Sequence, residues 1–339
     1  MPCTRSRAGA CELTTVPASP PLAELSIVIV TWHSADDLPP LLTSLAPDLA
    51  AGAELVVVEN ASGDATPAVV HTAAPAARVI VNPANVGFAV AANQGLAAAR
   101  GVFVLFLNPD TVVQPGTIPR ALAHLAADSD IGVLGCRTVN ADGTPQPTVE
   151  RFYSVGRLVA DAVLQRRGPV GRPRGWVPAR TEDVDWLYGS FLLCRRTTLA
   201  TIGGFDGAYE MYGEDLDLCH RMRAAGLRVV FFADATIMHR GNQSGARRYG
   251  ATRDAETLKG TLRFFRRRRG AAAECAFRLL AGTSFVLKAA VNALLALGVD
   301  GSAATRARLY ARMAWVCVTG VAASTERLRP ATSEIERLR

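Results

Sequence analysis

LSIVIVT at Leu25–Thr31 is a short, almost wholly apolar run, and ELVVVE at Glu54–Glu59, RVIV at Arg78–Val81 and VFVLFL at Val102–Leu107 repeat it. Runs of this length, rich in Val and Ile, read as strands buried on both faces, the pattern of a parallel sheet. Amphipathic or Ala-rich stretches separate them. The clearest, Gly87 to Arg100, reads as a helix closed by Gly101 as its C-cap. Strand alternating with helix predicts a doubly wound, Rossmann-like α/β domain.

Such sheets bind ligands outside the carboxyl ends of their strands, so the residues after each run are where chemistry is expected. They read Thr31-Trp32-His33, Glu59-Asn60-Ala61-Ser62-Gly63-Asp64, Asn82-Pro83-Ala84-Asn85-Val86-Gly87 and Asn108-Pro109-Asp110. Asn, Asp, Ser and Gly also dominate turns and N-caps, which accounts for any one cluster alone. Four on one sheet edge point to a binding site.

A second block reads DVDWLYGSFLLCRR from Asp183, GGFDGAYEMYGEDLDLCHRMRAAG from Gly203 and RVVFFADATIMHRGNQS from Arg228. Glu214 to Ala225 reads as a helix with Leu218, Met222 and Ala225 on one face and Gly226 as its stop. Arg228 to Ala233 reads as a strand, followed by a polar turn, Ala233 to Thr236, ahead of His239. The stretch from Asn140 to Arg180 reads as loops around one helix near Ser154 to Gln165. Glu214, Asp215 and Asp217 fall in a first helical turn, where the dipole alone favours carboxylates. The same dipole would keep Asp215 ionised, as a general base requires. A lone His such as His239 is by itself as readily a structural residue as a ligand.

Residues 245–339 carry 18 Lys and Arg against 7 Asp and Glu, leaving 19 against 23 for 1–244, so the formal net charge of +7 originates in the C-terminal part. That part reads TLRFFRRRR at Thr261–Arg269, then helices over Ala271–Leu297 and Ala303–Ala323. Only Phe264 and Phe265 adjoin the arginines and no RNA-binding motif accompanies them, which argues against nucleic acid. From Leu279 to Val299 the one charge is Lys288. A spanning helix would hold it near the bilayer centre at a cost of about 2.5–3.5 kcal/mol. A helix lying in an anionic membrane interface avoids that cost, and so does one packed on the domain or in a homodimer contact. The 7 cysteines are scattered without a C-x-x-C pair, which excludes a disulfide framework or cysteine zinc site and favours a reducing compartment. No signal-peptide run precedes Glu24. The expected organisation is a disordered lead-in over 1–24, a catalytic domain over 25–245 and a basic helical extension over 246–339.

From Leu25 to Ser244 the chain resembles the inverting, nucleotide-sugar-dependent glycosyltransferases of family 2, which have the GT-A fold, particularly their rhamnosyltransferase-like branch. The resemblance rests on five segments in order: VVVENASGD, NPANVGFAVAANQG, LNPD, GEDLDLCHRMRAAG and the late Met238-His239. It implies a nucleoside-diphosphate sugar donor bound by Thr31, Glu59, Asn60 and Asp64 at the nucleoside, and by Asn85, Gly87 and Asn93 at the diphosphate and sugar. Asn108 and Asp110 stand in the degenerate metal motif. It implies a divalent cation, Mg or Mn, held by Asp110 and His239, with Asp215 as the base and Trp186, Gly189 and Glu214 shaping the acceptor or sugar pocket. At Gly87 a close backbone approach and the following helix N-terminus would suit an anion. Two positions depart from the family pattern: Glu59 replaces Asp, and Asn108 replaces the first Asp of the metal motif. The resemblance implies rhamnose as the sugar, a lipid-linked glycan acceptor, and a peripheral place on the cytoplasmic face of the plasma membrane, reached through residues 261–323. Two other classes were weighed. Intact Asp110, Asp215 and His239 argue against a catalytically silent sugar-nucleotide-binding scaffold, and Thr31-Trp32-His33 lacks the basic Gly-rich loop of a nucleotidyltransferase.

Overall fold

β1 (Leu25–Thr31), β2 (Glu54–Glu59), β3 (Arg78–Val81) and β4 (Phe103–Leu107) lie side by side and parallel in the order β3-β2-β1-β4, with Ser26 opposite Glu54 and Leu25 opposite Phe103. Their bounds follow the apolar runs almost residue for residue. The computed structural model describes residues 20–154, 156, 176–241, 250–297 and 302–320. The expected helix near Ser154–Gln165, nearly all of the expected lead-in, and the last residues of the helix expected to reach Ala323 lie outside them. Within the lead-in's described end, Leu22–Glu24 form a single 3-10 turn.

Beyond β4 the sheet is mixed. After β5 (Thr111–Val113) and β6 (Ile131–Val139) come four two-residue strands: β7 (Pro145–Gln146), β8 (Val149–Glu150), β9 (Glu182–Asp183) and β10 (Trp186–Leu187). β11 (Phe191–Arg195) and β12 (Arg228–His239) complete the main order β3-β2-β1-β4-β11-β6-β12-β5. β11 runs antiparallel to both β4 and β6. A parallel neighbour needs a crossover back to the starting edge. β11 instead enters from the short loop Tyr188-Gly189-Ser190, and Phe191 meets Leu107, the last residue of β4. That entry sets Gly189 on the ligand edge.

Two cores cover the sheet faces. On one, Ile27, Ile29 and Leu105 meet α1 (Leu38–Ala50), α2 (Thr66–Ala73) and α4 (Thr117–Ala127). On the other, Val28, Val56 and Phe106 meet α3 (Phe88–Ala98), α5 (Arg196–Ile202) and α6 (Glu214–Ala224). This second core continues into α7 (Arg253–Phe264), a π-helical turn (Phe265–Arg269), α8 (Ala271–Ala296) and α9 (Ala303–Thr319). The basic extension is therefore packed on the catalytic domain through Leu258, Leu262, Phe264 and Phe265.

Local differences have local causes. α3 ends at Ala98, and Gly101 is not its C-cap: a Cβ there would lie 2.6 Å from the Glu24 carbonyl oxygen, so it is the packing of β1 that requires glycine. On α6 the buried apolar face is Leu216, Leu218, Cys219 and Met222, leaving Ala225 outside the helix and exposed. β12 runs unbroken to His239, with a bulge between Phe232 and Thr236 where a turn was expected. The polar groups of that bulge are satisfied by α4: Thr117 Oγ1 donates to Thr236 O (2.8 Å), and Arg120 Nε donates to Asp234 O (2.8 Å).

Candidate active site

Among the described residues the non-glycine positions with positive φ are His33 (49°), Ala61 (61°) and Tyr212 (69°), and all three lie in loops bordering the ligand edge. Backbone held in this sparsely populated region clusters at functional sites. Thr31, Asn60, Asn85, Gly87, Asn108 and Asp110 line one narrow cleft there, with Trp32, Phe88 and Met211. Asn60 organises it: its Nδ2 donates to Asn85 Oδ1 (3.2 Å) and Gly87 O (3.3 Å), and its Oδ1 accepts from Val86 N (3.0 Å).

At Gly87 the structure departs from the expected anion seat. Its φ is +83°, and a Cβ would fall 2.8 Å from Glu210 O. The close approach is thus to the loop 206–213, whose Glu210 O already accepts from Phe88 N (2.7 Å), while Gly87 N donates to Asn85 Oδ1 (3.0 Å). Three other expected donor residues face inward to the protein. Glu59 accepts from Ser62 N (2.7 Å) and Ala61 N (3.2 Å), shaping its own turn. Asp64 accepts from Thr66 N (3.1 Å) ahead of α2, and these hydrogen bonds hold its carboxyl below the usual range against the opposing effect of burial. Asn93 clasps Phe205 through both its amide atoms (2.8 and 2.9 Å), so it anchors the loop after α5 and lines neither cleft.

Asp110 and His239 are brought together by the register of β12 on β5, in which His239 pairs with Thr111. Asp110 Oδ1 lies 3.2 Å from His239 Nε2, and both residues are buried. His239 Nδ1 lies 2.7 Å from Gln146 Oε1, and Nε2 faces Asp110 with Asn108 Nδ2 3.5 Å away. A carboxylate and an imidazole nitrogen converging this closely suit a shared cation. Among the described residues no group of three or more His, Cys, Asp and Glu side chains could hold a metal, so a cation here would need further oxygen ligands from substrate and water.

A larger cleft of about 360 Å³ adjoins the first, sharing Phe88, Asn108 and Met211 with it and containing Trp186, Gly189, Glu214, Asp215 and His239. Its far wall is α7, placed by a glycine contact: a Cβ at Gly260 would lie 2.1 Å from Tyr212 O. Asp215 accepts from Leu216 N (2.7 Å) and Gly189 N (3.1 Å). Burial raises its pKa above the ordinary carboxylate value, opposed by those two hydrogen bonds and by the nearby Trp186 indole. Burial, and then the adjacent Asp215 charge, push Glu214 up to about 8. The folded protein therefore keeps a proton on Glu214 that the unfolded chain releases above its ordinary value of about 4.5, so this residue lowers stability progressively as pH rises from about 4.5 to about 8. Glu214→Gln should accordingly raise Tm over wild type by an amount that grows across that interval and then levels, read by thermal melts at several pH values. Gln146, Thr148, Glu150, Tyr153 and Tyr188 also line this cleft and had not been singled out in the sequence. The two-residue strands that carry Gln146 and Glu150, and the link at Thr148 between them, offer no periodicity to read.

The mixed α/β sheet thus carries, at one edge, two adjoining clefts, a buried Asp–His pair and a carboxylate helix. The profile of glycosyl transferase family 2 matches residues 26–196, and the chain belongs to that family. An N-acetylglucosaminyl-diphospho-decaprenol L-rhamnosyltransferase of Mycobacterium tuberculosis is 30% identical over 234 residues, covering 63% of this chain and 75% of the relative. The rhamnosyltransferase WbbL of Escherichia coli K12 is 36% identical over 172 residues, 49% of this chain and 62% of its own. Among solved structures, the mannosyltransferase PcManGT from Pyrobaculum calidifontis, in complex with GDP-Man and Mn2+, superimposes with a TM-score of 0.53 at 17% identity, covering 89% of this chain and 88% of that one. At that identity the likeness establishes the shared GT-A fold.

Proposed function

We propose that the protein is an inverting, metal-dependent rhamnosyltransferase that uses a nucleoside-diphosphate rhamnose, deoxythymidine diphosphate being the first choice of nucleotide, and a lipid-linked glycan acceptor. The observation that carries this reading is the meeting of two clefts at Phe88, Asn108 and Met211, with Asp110 lining one, Asp215 the other, and His239 of the larger cleft reaching across to Asp110. The M. tuberculosis relative supports the choice of sugar and acceptor class. Thr31, Asn60, Asn85 and Asn108 would hold the nucleotide. Asp215 takes the proton of the acceptor hydroxyl as that oxygen bonds to the anomeric carbon. The bond from that carbon to the diphosphate oxygen breaks on the opposite face, and its electron pair leaves with the nucleoside diphosphate. A divalent cation held by Asp110 and His239 would neutralise the charge growing on the diphosphate.

Release of nucleoside diphosphate from a panel of nucleotide sugars, with and without magnesium or manganese, tests the donor. Asp110→Ala and His239→Ala should each weaken the metal response, and the double variant should be little worse than either, because both damage one site. Calorimetry of donor binding with and without metal measures this, and an enzyme indifferent to chelators removes both residues from the metal assignment.

The outer surface of α8 and α9 supports a place on the membrane. Leu279, Leu287, Leu294, Trp315 and Val318 are between 62% and 69% exposed, and α8 is the one described helix long and apolar enough to cross a bilayer. Lys288 sits over the Tyr310 ring at 5.7 Å, within the helix pair, so the apolar side of α8 can lie in an interface while the lysine is engaged by α9. Flotation with liposomes should show binding that largely survives added salt.

A further inference from the structure

The pairing of β8 with β10 sets Trp186 opposite Glu150 and Leu187 opposite Val149, with Thr148 next in line. Thr148, Glu150 and Trp186 all line the larger cleft, yet they are only 4%, 2% and 6% exposed. Among the described residues Thr148 Oγ1 has no hydrogen-bond partner, Trp186 Nε1 approaches the Asp215 carboxylate without completing a hydrogen bond, and Glu214 Oε2 on the same cleft also lacks a partner. Folded proteins keep few buried polar atoms unsatisfied, so three on one cleft mark where a ligand's own polar groups belong. The Tyr153 hydroxyl donates to Glu150 Oε2 (3.3 Å), and the Trp186 ring is flanked by Tyr153 at 5.5 Å and Tyr188 at 5.4 Å. The surface thus combines aromatic faces with an indole donor, a carboxylate acceptor and a hydroxyl that can do either. That combination suits a pyranose, which has an apolar C–H face and a rim of hydroxyls.

We propose that Thr148, Glu150 and Trp186 form a hydroxyl-binding subsite for the sugar ring of the acceptor, and that this subsite selects which acceptor sugars are used. The proposal rests on the transferase reading above and adds the acceptor's recognition surface to it. A site built to hydrogen-bond a hydroxyl discriminates strongly against the analogue lacking it, because the protein's group is then left buried and unpaired.

The test pairs deletions in the protein with deletions in the acceptor. Wild type, Thr148→Val, Thr148→Ser and Glu150→Gln are assayed with deoxythymidine-diphosphate rhamnose. The acceptors are methyl β-glucopyranoside, its N-acetyl-2-amino counterpart and their monodeoxy analogues. Wild type should lose at least about tenfold in kcat/KM when the contacted hydroxyl is removed from the acceptor. Thr148→Val or Glu150→Gln should lose a similar factor on the intact acceptor and nothing further on that deoxy analogue. Thr148→Ser should behave as wild type, and melting curves close to wild type report that the variants fold. Equal discrimination by wild type and variants overturns the subsite, as does wild type that hydrolyses donor but transfers to none of these sugars. Absence of donor hydrolysis in wild type overturns the donor assignment instead. The subsite is then read by saturation-transfer NMR with the same glycosides, whose signal should be present with wild type and lost with Thr148→Val and Glu150→Gln. No signal with wild type overturns it.

Discussion

Asp215→Asn is expected to lower sugar transfer by about 10² to 10⁴ while leaving affinity for the nucleoside diphosphate nearly unchanged. The carboxylate lines the larger cleft and not the narrower one, where the proposed function puts the nucleotide, so its charge would have no part in holding the diphosphate. Two backbone N–H groups, of Gly189 and Leu216, hold it from one side. The amide of the variant can accept from only one of them, which adds a positional loss to the loss of basicity. Burial raises the Asp215 pKa, so wild-type transfer should increase as pH rises through a value above the ordinary aspartate range, and the variant should lack that limb. The neighbouring carboxyls are poor replacements for different reasons. Asp217 is fully buried and committed to Arg221 and Arg268 at 2.7 and 2.5 Å, so it cannot reach a substrate. Glu214 keeps its proton up to about 8, partly because of the Asp215 charge, and removing that charge makes it easier to ionise. Near-normal turnover in Asp215→Asn would move the base to Glu214, and Asp215→Asn combined with Glu214→Gln would then be the inactive pair.

What could be read from sequence was what a single period or a single turn controls. β1 and β2 were legible to the residue because Val and Ile runs buried on both faces have no other comfortable conformation, and β3, a half-exposed edge strand, was legible from its β-branched residues. Helix α6 was legible because its carboxylates, apolar face and Gly226 agree with one another. Asp110 and His239 were named apart, 129 positions of chain separating them, and only the β12–β5 register brings their side chains to 3.2 Å. Glu59 and Asn93 show the opposite limit. Their residue types suit a ligand, but Glu59 is used up by the N–H groups of its own turn and Asn93 by the backbone of Phe205, a partner distant in sequence. Glu150 was illegible because a strand of two residues has no alternation to display, Thr148 because it lies between two such strands, and the surroundings of both are supplied by β10 and α7.

Arg268→Gln is expected to destabilise the fold by on the order of 3 kcal/mol, although it alters one of four consecutive arginines that, from sequence, belong on a lipid surface. Arg268 Nε donates to Asp217 Oδ1 at 2.5 Å and its Nη2 reaches Asp206 Oδ2 at 3.2 Å, while Arg267 donates to the same Asp206 oxygen at 2.7 Å. Asp217 is fully buried, and removing one of its two guanidinium partners leaves part of a buried charge uncompensated. Burial pushes the Asp217 pKa up, and the Arg268 hydrogen bond, ahead of Arg221, leads the opposing effects that hold it below the ordinary value. Sign follows from that: the Asp217 contribution is present above the unfolded pKa of about 3.8 and is lost as pH falls through the lower folded value, so the variant should be most weakened at neutral pH and approach wild type in acid. Asp217 shares the first turn of α6 with Asp215, so the damage should reach the active site, and replacing all four arginines by Gln should depress donor hydrolysis as well as vesicle binding. Arg266 pairs with Glu274 at 3.5 Å and is 62% exposed, which leaves it freer than Arg267 or Arg268 to meet anionic lipid, where one basic residue contributes on the order of 1 kcal/mol. Arg266→Gln should therefore weaken flotation with anionic vesicles slightly and leave the melting temperature alone, whereas Arg268→Gln should lower the melting temperature by several degrees and leave the salt dependence of flotation alone. Melting curves that are equal for these two variants would return the whole arginine run to the membrane.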